Sequence, residues 1–187
     1  MSMSHYFRLA TEVDDDVLTI DIASHEDLSF TAGVPFADPI DEPIRFRADM
    51  ELGGSVLPTT FLPEPVFKSD FLQHLRELGV SNIDDYAAEI STPGGKQTIE
   101  GYRAVNIVGA VACADLSHSE YEDFEGMFFF DRLVINPMKA RGALCFRLAE
   151  AHEYILIHQR VAEGLDRKRF PDIVLTPIEA SPGPAGQ

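Results

Sequence analysis

Two segments near the start of the chain predict strands, and the second alternates apolar with other residues, which is the spacing of a half-buried strand. The first covers residues 5–13, and the second covers residues 17–22, where Leu18, Ile20 and Ile22 occupy every second position. The three residues between the segments, Asp14, Asp15 and Asp16, are all acidic. The pattern predicts two strands joined as a hairpin through these aspartates.

Proline interrupts the next segment, residues 33–65, too often for regular structure. The six prolines are Pro35, Pro39, Pro43, Pro58, Pro63 and Pro65. Proline has no backbone N–H, so within sheets it is confined to edges and strand ends. We therefore expect an irregular wrap over the body of the domain, with a short edge strand within residues 44–52.

A weak internal repeat, without gaps, relates two parts of the chain at an offset of 90 residues. The aligned pairs are Phe67 and Ile157, Phe71 and Val161, Leu75 and Leu165, Val80 and Phe170, Ile83 and Ile173, and Glu89 and Glu179. Each copy predicts a short strand, a helix and a second strand. The pattern indicates an internal strand-helix-strand duplication, and the alternative is a coincidence of apolar spacing.

Both predicted helices have recognisable ends. In the first, Ser69 is placed to cap the N-terminus and Gly79 follows where a helix-ending glycine belongs. Its apolar stripe consists of Phe71, Leu72, Leu75 and Leu78. The second helix is predicted over residues 159–168, because the residue before Pro171 avoids helical geometry.

The other apolar segments predict strands, with Gly94 and Gly95 in a hairpin turn. This order fits no alternating strand-helix array, so we expect an α+β fold with a mixed, mostly antiparallel sheet and two or three helices. We expect one domain over residues 1–179, with the acidic hairpin and the wrap in residues 1–64, the core in residues 65–179, and a disordered tail at residues 180–187.

The chain is strongly acidic, with 31 Asp and Glu against 15 Lys and Arg and a net charge of −16. Such a charge repels nucleic acid and anionic lipid and attracts basic macromolecules. Residues 1–50 hold eleven acidic and three basic residues, whereas residues 132–169 hold eight basic and four acidic residues. This polarity favours a binding surface for a basic partner, and the alternative is a role in solubility alone.

The N-terminal sequence, the length of the apolar runs and the cysteines together predict where in the cell the protein is located. The N-terminus lacks a basic region followed by an apolar one, and the longest nearly apolar run, residues 105–114, is shorter than the ~20 residues that span a bilayer. Cys113 and Cys145 lie in apolar surroundings and fit buried free thiols. We therefore expect a cytoplasmic protein without contact to membranes.

Motifs for catalysis and metal binding are weak. His152 and His158 are six residues apart, a spacing that does not place two imidazoles on one metal from a helix. A set of His118, Glu120 and Asp123 is a conceivable metal site, but no second cluster supports it. We expect no catalytic residues, no metal and no cofactor. A hydrolase of unknown type stays an alternative, because catalytic groups need not be close in sequence.

A second acidic cluster, residues 120–125, contains aromatic residues that suit a protein interface. It comprises Glu120, Tyr121, Glu122, Asp123, Phe124 and Glu125, without a basic residue. Aromatic side chains are good interface anchors, and carboxylates steer basic partners. With Asp14, Asp15 and Asp16, these residues are our candidate partner contacts. The alternative is a solvated loop whose two aromatic residues are tucked into the core.

Three segments resemble a known family, the immunity proteins of bacterial polymorphic-toxin and self-recognition systems, of a type first described in myxobacteria and formerly called a domain of unknown function. They are PVFKSDFLQHLRELGVSNIDDYAAEI, YRAVNIVGAVACADLSHSEYE and FFFDRLVINPMKARGALCFRLAEAHEYILIHQRVAEGL. The resemblance implies a cytoplasmic antidote that binds and neutralises a cognate toxin, often a nuclease. It implies no catalytic residues.

We therefore expect an immunity protein that binds a toxin with a basic nuclease domain and that binds no nucleic acid directly. The alternatives are a small hydrolase, or a non-catalytic scaffold that forms homo-oligomers.

Overall fold

The computed structural model describes residues 5–12, 19–25, 27–49, 51, 57–62 and 65–181. The strands are β1 (Tyr6–Thr11), β2 (Ile20–Ile22), β3 (Ile44–Ala48), β4 (Thr60–Phe61), β5 (Val66–Lys68), β6 (Ile83–Ser91), β7 (Thr98–Ile99), β8 (Tyr102–Ile107), β9 (Ala110–Val111), β10 (Glu120–Phe124), β11 (Met127–Arg132), β12 (Val134–Ile135), β13 (Cys145–Leu148), β14 (Ala151–His158), β15 (Ile173–Pro177) and β16 (Glu179–Ala180). The helices are α1 (Ser69–Glu77) and α2 (Gln159–Gly164), and a 3-10 turn covers Pro93–Gly95.

One sheet has five strands in the order β15-β1-β14-β13-β9. Its pairs are antiparallel except for β13 with β9. The predicted hairpin of the first two strands is wrong, because β1 lies between β14 and β15 whereas β2 pairs with β3 in another sheet. The apolar pattern identified both strands, but it carries no information about their partners.

The second sheet has seven strands, in the order β2-β3-β6-β8-β5-β4 with β7 paired to β6. β3 falls within the segment predicted as an edge strand, but it pairs with β2 on one side and with β6 on the other, so the edge position is wrong. The β3–β6 pair is parallel and the other pairs are antiparallel. The predicted α+β class with mixed sheets and two helices is confirmed.

The two sheets pack around a shared core, into which α1 and α2 also point. The five-stranded sheet contributes residues such as Leu9 and Ile155, the seven-stranded sheet contributes Phe67 and Val105, and α1 contributes Phe71. The five apolar pairs of the 90-residue offset all lie in this core: Phe67, Phe71, Leu75, Val80, Ile83, Ile157, Val161, Leu165, Phe170 and Ile173. Two further apolar clusters flank it, one on the outer side of each sheet.

The helix ends differ in part from the prediction. Ser69 is the first helical residue and makes no capping bond, whereas Gly79 adopts the predicted left-handed conformation with φ 96°. Helix α2 ends at Gly164, four residues before the predicted end, and the ring of His158 accepts the backbone N–H of Arg160 at its start. A Cβ on Gly164 would collide with Leu78, so glycine permits the close approach of the two helices.

Strand β16 pairs in parallel with β12 and includes Ala180. The first residue of the predicted disordered tail is therefore part of a strand. Residues 182–187 of that tail lie outside the described residues.

Candidate protein interface

The acidic cluster at residues 120–125 is part of a β-hairpin that belongs to neither large sheet. Strands β10 and β11 pair only with each other, and Glu125 and Gly126 form the two-residue connection. Both residues have positive φ, 54° and 88°, as a type I′ turn requires. Asp123 Oδ1 accepts the N–H of Gly126 at 2.9 Å. The cluster is therefore a strand and a tight turn, and the alternative of a solvated loop is wrong.

The pairing register divides the hairpin side chains between two faces, because residues opposite each other share a face. Tyr121 lies opposite Phe130, and Asp123 lies opposite Phe128, on what we call the inner face. The outer face carries two further pairs, Glu122 with Phe129 and Phe124 with Met127. The hairpin therefore presents aromatic side chains on both sides.

The inner face connects the hairpin to the body of the protein. The ring of Tyr121 packs edge-on against Phe128 at 5.2 Å, and the Phe130 ring lies 6.1 Å from that of Tyr154 in β14. The Arg8 guanidinium lies 3.7 Å from the centre of the Tyr154 ring. An isolated two-stranded ribbon is only marginally stable in water, so these contacts support the hairpin.

The outer face leaves large apolar side chains in water. Phe124 is 62% exposed, Met127 is 56% exposed and Phe129 is 52% exposed. Only two other large apolar residues of the described chain are exposed to a comparable extent, Val34 and Met138. Single exposed apolar residues are common, but three neighbours on one face of a ribbon form a patch, which is typical of a binding surface. The two aromatic residues of the predicted cluster are not tucked into the core.

Acidic side chains lie along the strands and the turn that carry this patch. All of Glu120, Glu122, Asp123, Glu125 and Asp131 are exposed, against Arg132 as the single basic residue of the hairpin. Apart from Glu120, which pairs with Arg132, these acids form no ion pair with a described residue, so the ribbon produces a negative field in the surrounding water. The hairpin therefore combines an apolar outer face with exposed carboxylates, which we call the anionic rim.

Arg132 joins the base of the hairpin to two other segments. Its Nε donates to Glu120 at 2.9 Å, one terminal nitrogen donates to Glu179 of β16 at 3.1 Å, and the other donates to the carbonyl of His118 at 2.9 Å. The hydrogen bond to Glu120 and the charge of Glu179 raise the pKa of Arg132. The arrangement holds β10, β11 and β16 at a common point.

The structure does not describe the first acidic cluster, and it does not assemble the basic segment into one surface. Asp14, Asp15 and Asp16 lie outside the described residues. The basic segment at residues 132–169 does not form one cationic surface, because Arg147 is fully buried and Arg132 lies among acids. Burial lowers the pKa of Arg147 to about 10, and its guanidinium donates to the carbonyl of His152 at 2.7 Å.

A serine, a histidine and an aspartate meet beside the hairpin, but not as a catalytic triad. Nδ1 of His118 lies 3.0 Å from both Ser117 Oγ and Asp115 Oδ2, and Ser117 also donates to Asp115 at 2.6 Å. A triad needs the serine at the opposite ring nitrogen. The bonds from Ser117 and His118 lower the pKa of Asp115 and form a local turn.

The described residues contain no group of three His, Cys, Asp or Glu side chains able to hold a metal ion. The set of His118, Glu120 and Asp123 therefore does not form a metal site. His152 and His158 both lie in β14, and six residues of extended chain separate them by roughly 20 Å. His158 instead caps α2.

Sequence reasoning missed Met127, Phe129 and Arg132 as parts of the candidate interface. The available signal was the Glu125-Gly126 pair between two segments of similar length, because such a dipeptide suits a two-residue turn. Interpreting the acidic segment as a loop concealed the register that places Phe124 beside Met127.

No family model and no curated protein matches this chain. Neither helix of the described residues has the length and apolar character to cross a membrane.

Proposed function

We propose that this protein is an immunity protein of the cytoplasm that binds a cognate toxin, with a basic nuclease domain as the expected target, and that binding alone neutralises the toxin. The observation that carries the proposal is the β10–β11 hairpin, which exposes Phe124, Met127 and Phe129 on its outer face and carries exposed carboxylates along the same strands and turn. The resemblance of residues 65–90, 102–122 and 128–165 to immunity proteins supports the same function.

The apolar centre of the hairpin supplies the lasting contacts of the complex. Aromatic residues at the centre of an interface contribute most of the binding energy when a partner removes them from water. Phe124 and Phe129 have about half or more of their surface available for this contact. We therefore place the anchors of the complex on the outer face.

The anionic rim increases the rate at which the toxin associates. Carboxylates such as Glu122 and Glu125 are exposed and make no hydrogen bond or ion pair with another described residue. Electrostatic steering of this kind raises association rates by about 10 to 10³ at low salt, and it rejects partners of like charge. A nuclease domain, whose surface binds phosphates, has the complementary charge.

The test uses the product of the adjacent gene as the toxin. We expect binding in the nanomolar range or tighter, with association slowing as the salt concentration rises from about 50 to about 500 mM. Phe124→Ala should raise the Kd by roughly 30-fold, which corresponds to about 2 kcal/mol. Surface plasmon resonance measures both quantities.

A matched pair of methionine variants is the control for this test. Met127→Ala should weaken binding because Met127 lies on the outer face, whereas Met138→Ala should not, although Met138 is 81% exposed. An equal loss in both variants, or a Phe124→Ala protein that binds with unchanged affinity, would remove the hairpin from the interface. Failure to bind the toxin at all would contradict the immunity function.

The exposed outer face also favours a second candidate, a scaffold that forms homo-oligomers through apolar contacts. The charge of the hairpin opposes it, because two copies would bring like carboxylates together. Sedimentation velocity of the protein without toxin separates the candidates. A monomer is expected for the immunity protein and a stable oligomer for the scaffold.

We also propose that the chain contains an internal duplication. In the first copy, β5 and β6 flank the antiparallel strand β8; in the second, β14 and β15 flank the antiparallel strand β1. The aligned apolar residues of both copies share one core. An alignment of related sequences provides the check, because the two segments should match at the same offset in each of them.

A further inference from the structure

The outer edge of β10 carries main-chain groups that no described strand pairs. β10 pairs with β11 on one side, and β11 is the strand that lies beside β14 of the body. The other side of β10 has no strand neighbour among the described residues. The hairpin is therefore a ribbon with one edge toward the protein and one edge available to a partner.

The register identifies which groups point outward. Phe124 and Met127 flank the two-residue turn and form a hydrogen-bonded pair, and such pairs alternate along an antiparallel ribbon. Asp123 and Tyr121 consequently occupy non-hydrogen-bonded positions, where the N–H and C=O of each residue face away from β11. None of these groups has a backbone partner elsewhere in the described chain.

We propose that the toxin binds by adding an extended segment to this edge as a third strand. The proposal rests on the proposed function and specifies how the same site recognises its partner. Main-chain hydrogen bonds to Tyr121 and Asp123 would hold the added strand, and its side chains would fall on both faces of the ribbon. The toxin would then be recognised by its backbone and by its side-chain pattern.

The charges of β10 define that pattern. Each face of the strand carries one aromatic residue and one acid: Tyr121 with Asp123, and Phe124 with Glu122. Directly opposed cross-strand residues stabilise a sheet when they are apolar pairs or opposite charges. Opposite residues 121–124, the added strand should therefore read apolar, basic, basic, apolar.

A second copy of this chain does not satisfy that pattern. Two antiparallel β10 strands paired edge to edge would place Glu122 opposite Glu122 in one register and Asp123 opposite Asp123 in the next, and like charges in these positions are destabilising. Acidic side chains on an edge are a known protection against self-association. The edge therefore discriminates between its own copies and a cationic strand.

The test uses the ¹⁵N-labelled full chain and the synthetic peptide Thr-Val-Lys-Lys-Val-Thr. We expect the peptide to slow amide hydrogen exchange at Tyr121 and Asp123 by about fivefold or more at saturation, because both N–H groups become hydrogen-bonded. The peptide with two glutamates in place of its lysines should leave the exchange unchanged. Unchanged exchange with the lysine peptide would overturn the proposal.

N-methylated peptides separate strand addition from attraction by charge alone. Two versions carry methyl groups on alternate residues, so that each version blocks one edge of the added strand. One version should bind like the parent peptide and the other should lose binding, because only one edge faces β10. Equal binding of both versions would show that no strand is added.

A matched pair of charge reversals completes the test. Glu122→Lys should weaken binding of the lysine peptide by about threefold to tenfold, whereas Glu42→Lys, an equal change at an exposed acid outside the hairpin, should not. Equal losses in both variants would indicate attraction by net charge and would overturn strand addition.

The outcome for the toxin is independent of the outcome for the peptide. If the toxin binds through Phe124 but the lysine peptide leaves the exchange unchanged, strand addition is wrong and the immunity function stands. If the peptide behaves as expected and the adjacent gene product does not bind, the immunity function is wrong and the edge of β10 stands as a site for a cationic strand.

Discussion

The core between the sheets and the β10–β11 hairpin contain the same type of residue in opposite environments. Phe71 in α1 is fully buried, with its ring edge-on to those of Phe67 and Phe170. Phe124 in the hairpin is 62% exposed. Removing a phenylalanine side chain from water contributes about 1.5–3 kcal/mol. In the core that contribution stabilises the fold, whereas on the hairpin it becomes available only when a partner covers the outer face.

The comparison also concerns how each region is held. The core draws side chains from both sheets and both helices, so its members support one another. The hairpin depends on the inner-face rings and on Arg132 at its base. We therefore expect substitutions in the core to change the stability of the whole molecule and substitutions on the outer face to change binding.

The largest expected effect separates the two regions directly. Phe71→Ala should lower the free energy of unfolding by about 3–5 kcal/mol, because it leaves a cavity between rings that cannot close. Phe124→Ala should change it by less than about 0.5 kcal/mol, as an exposed substitution does. Urea denaturation followed by circular dichroism measures both. Similar losses in the two variants would mean that the hairpin belongs to the folding core.

An intermediate effect concerns the two cysteines of the interior. Burial raises the pKa of the Cys113 and Cys145 thiols to about 12. A free thiol loses its proton near pH ~8.5, so the unfolded state binds fewer protons from about pH 8.5 to 12 and stability falls as the pH rises through this window. Between pH 8 and 10 the loss should be about 1–2 kcal/mol per thiol.

Denaturation of Cys145→Ala across this pH range measures the contribution of one thiol, because the stability of this variant should fall less steeply than that of the unsubstituted protein.

The rate of reaction with a thiol reagent compares the interior with the hairpin. At pH 8, Phe129→Cys should react roughly a thousandfold faster than the native cysteines, in proportion to its thiolate fraction. Rapid reaction of the native cysteines would show that water reaches the interior.

The smallest expected effect is at Arg132. Arg132→Ala should leave global stability nearly unchanged, since the side chain is exposed, but should accelerate amide exchange in β10 and β11 severalfold by releasing the hairpin from β16. Arg45→Ala, which removes an exposed pair with Glu89, is the control. Exchange in the hairpin that matches this control would mean that the inner-face rings alone hold the ribbon.

The sequence by itself determined the class of the fold and the positions of most elements. A period of two placed β2, and periods of three to four residues placed α1 and the start of α2, because they reflect which side of each element is buried. Composition likewise identified residues 120–125 as acidic and aromatic. These properties are local, so they can be predicted without knowing what each segment contacts.

Only the tertiary structure decided which strands pair and which aromatic residues are left in water. β1 joins β14 and β15, which lie more than 140 residues further along the chain, and alternation cannot specify such partners. Phe71 and Phe124 are the same residue type, and their burial depends on what packs over them. Partner choice and exposure are determined by long-range contacts, whereas the hydrophobic pattern records only local geometry.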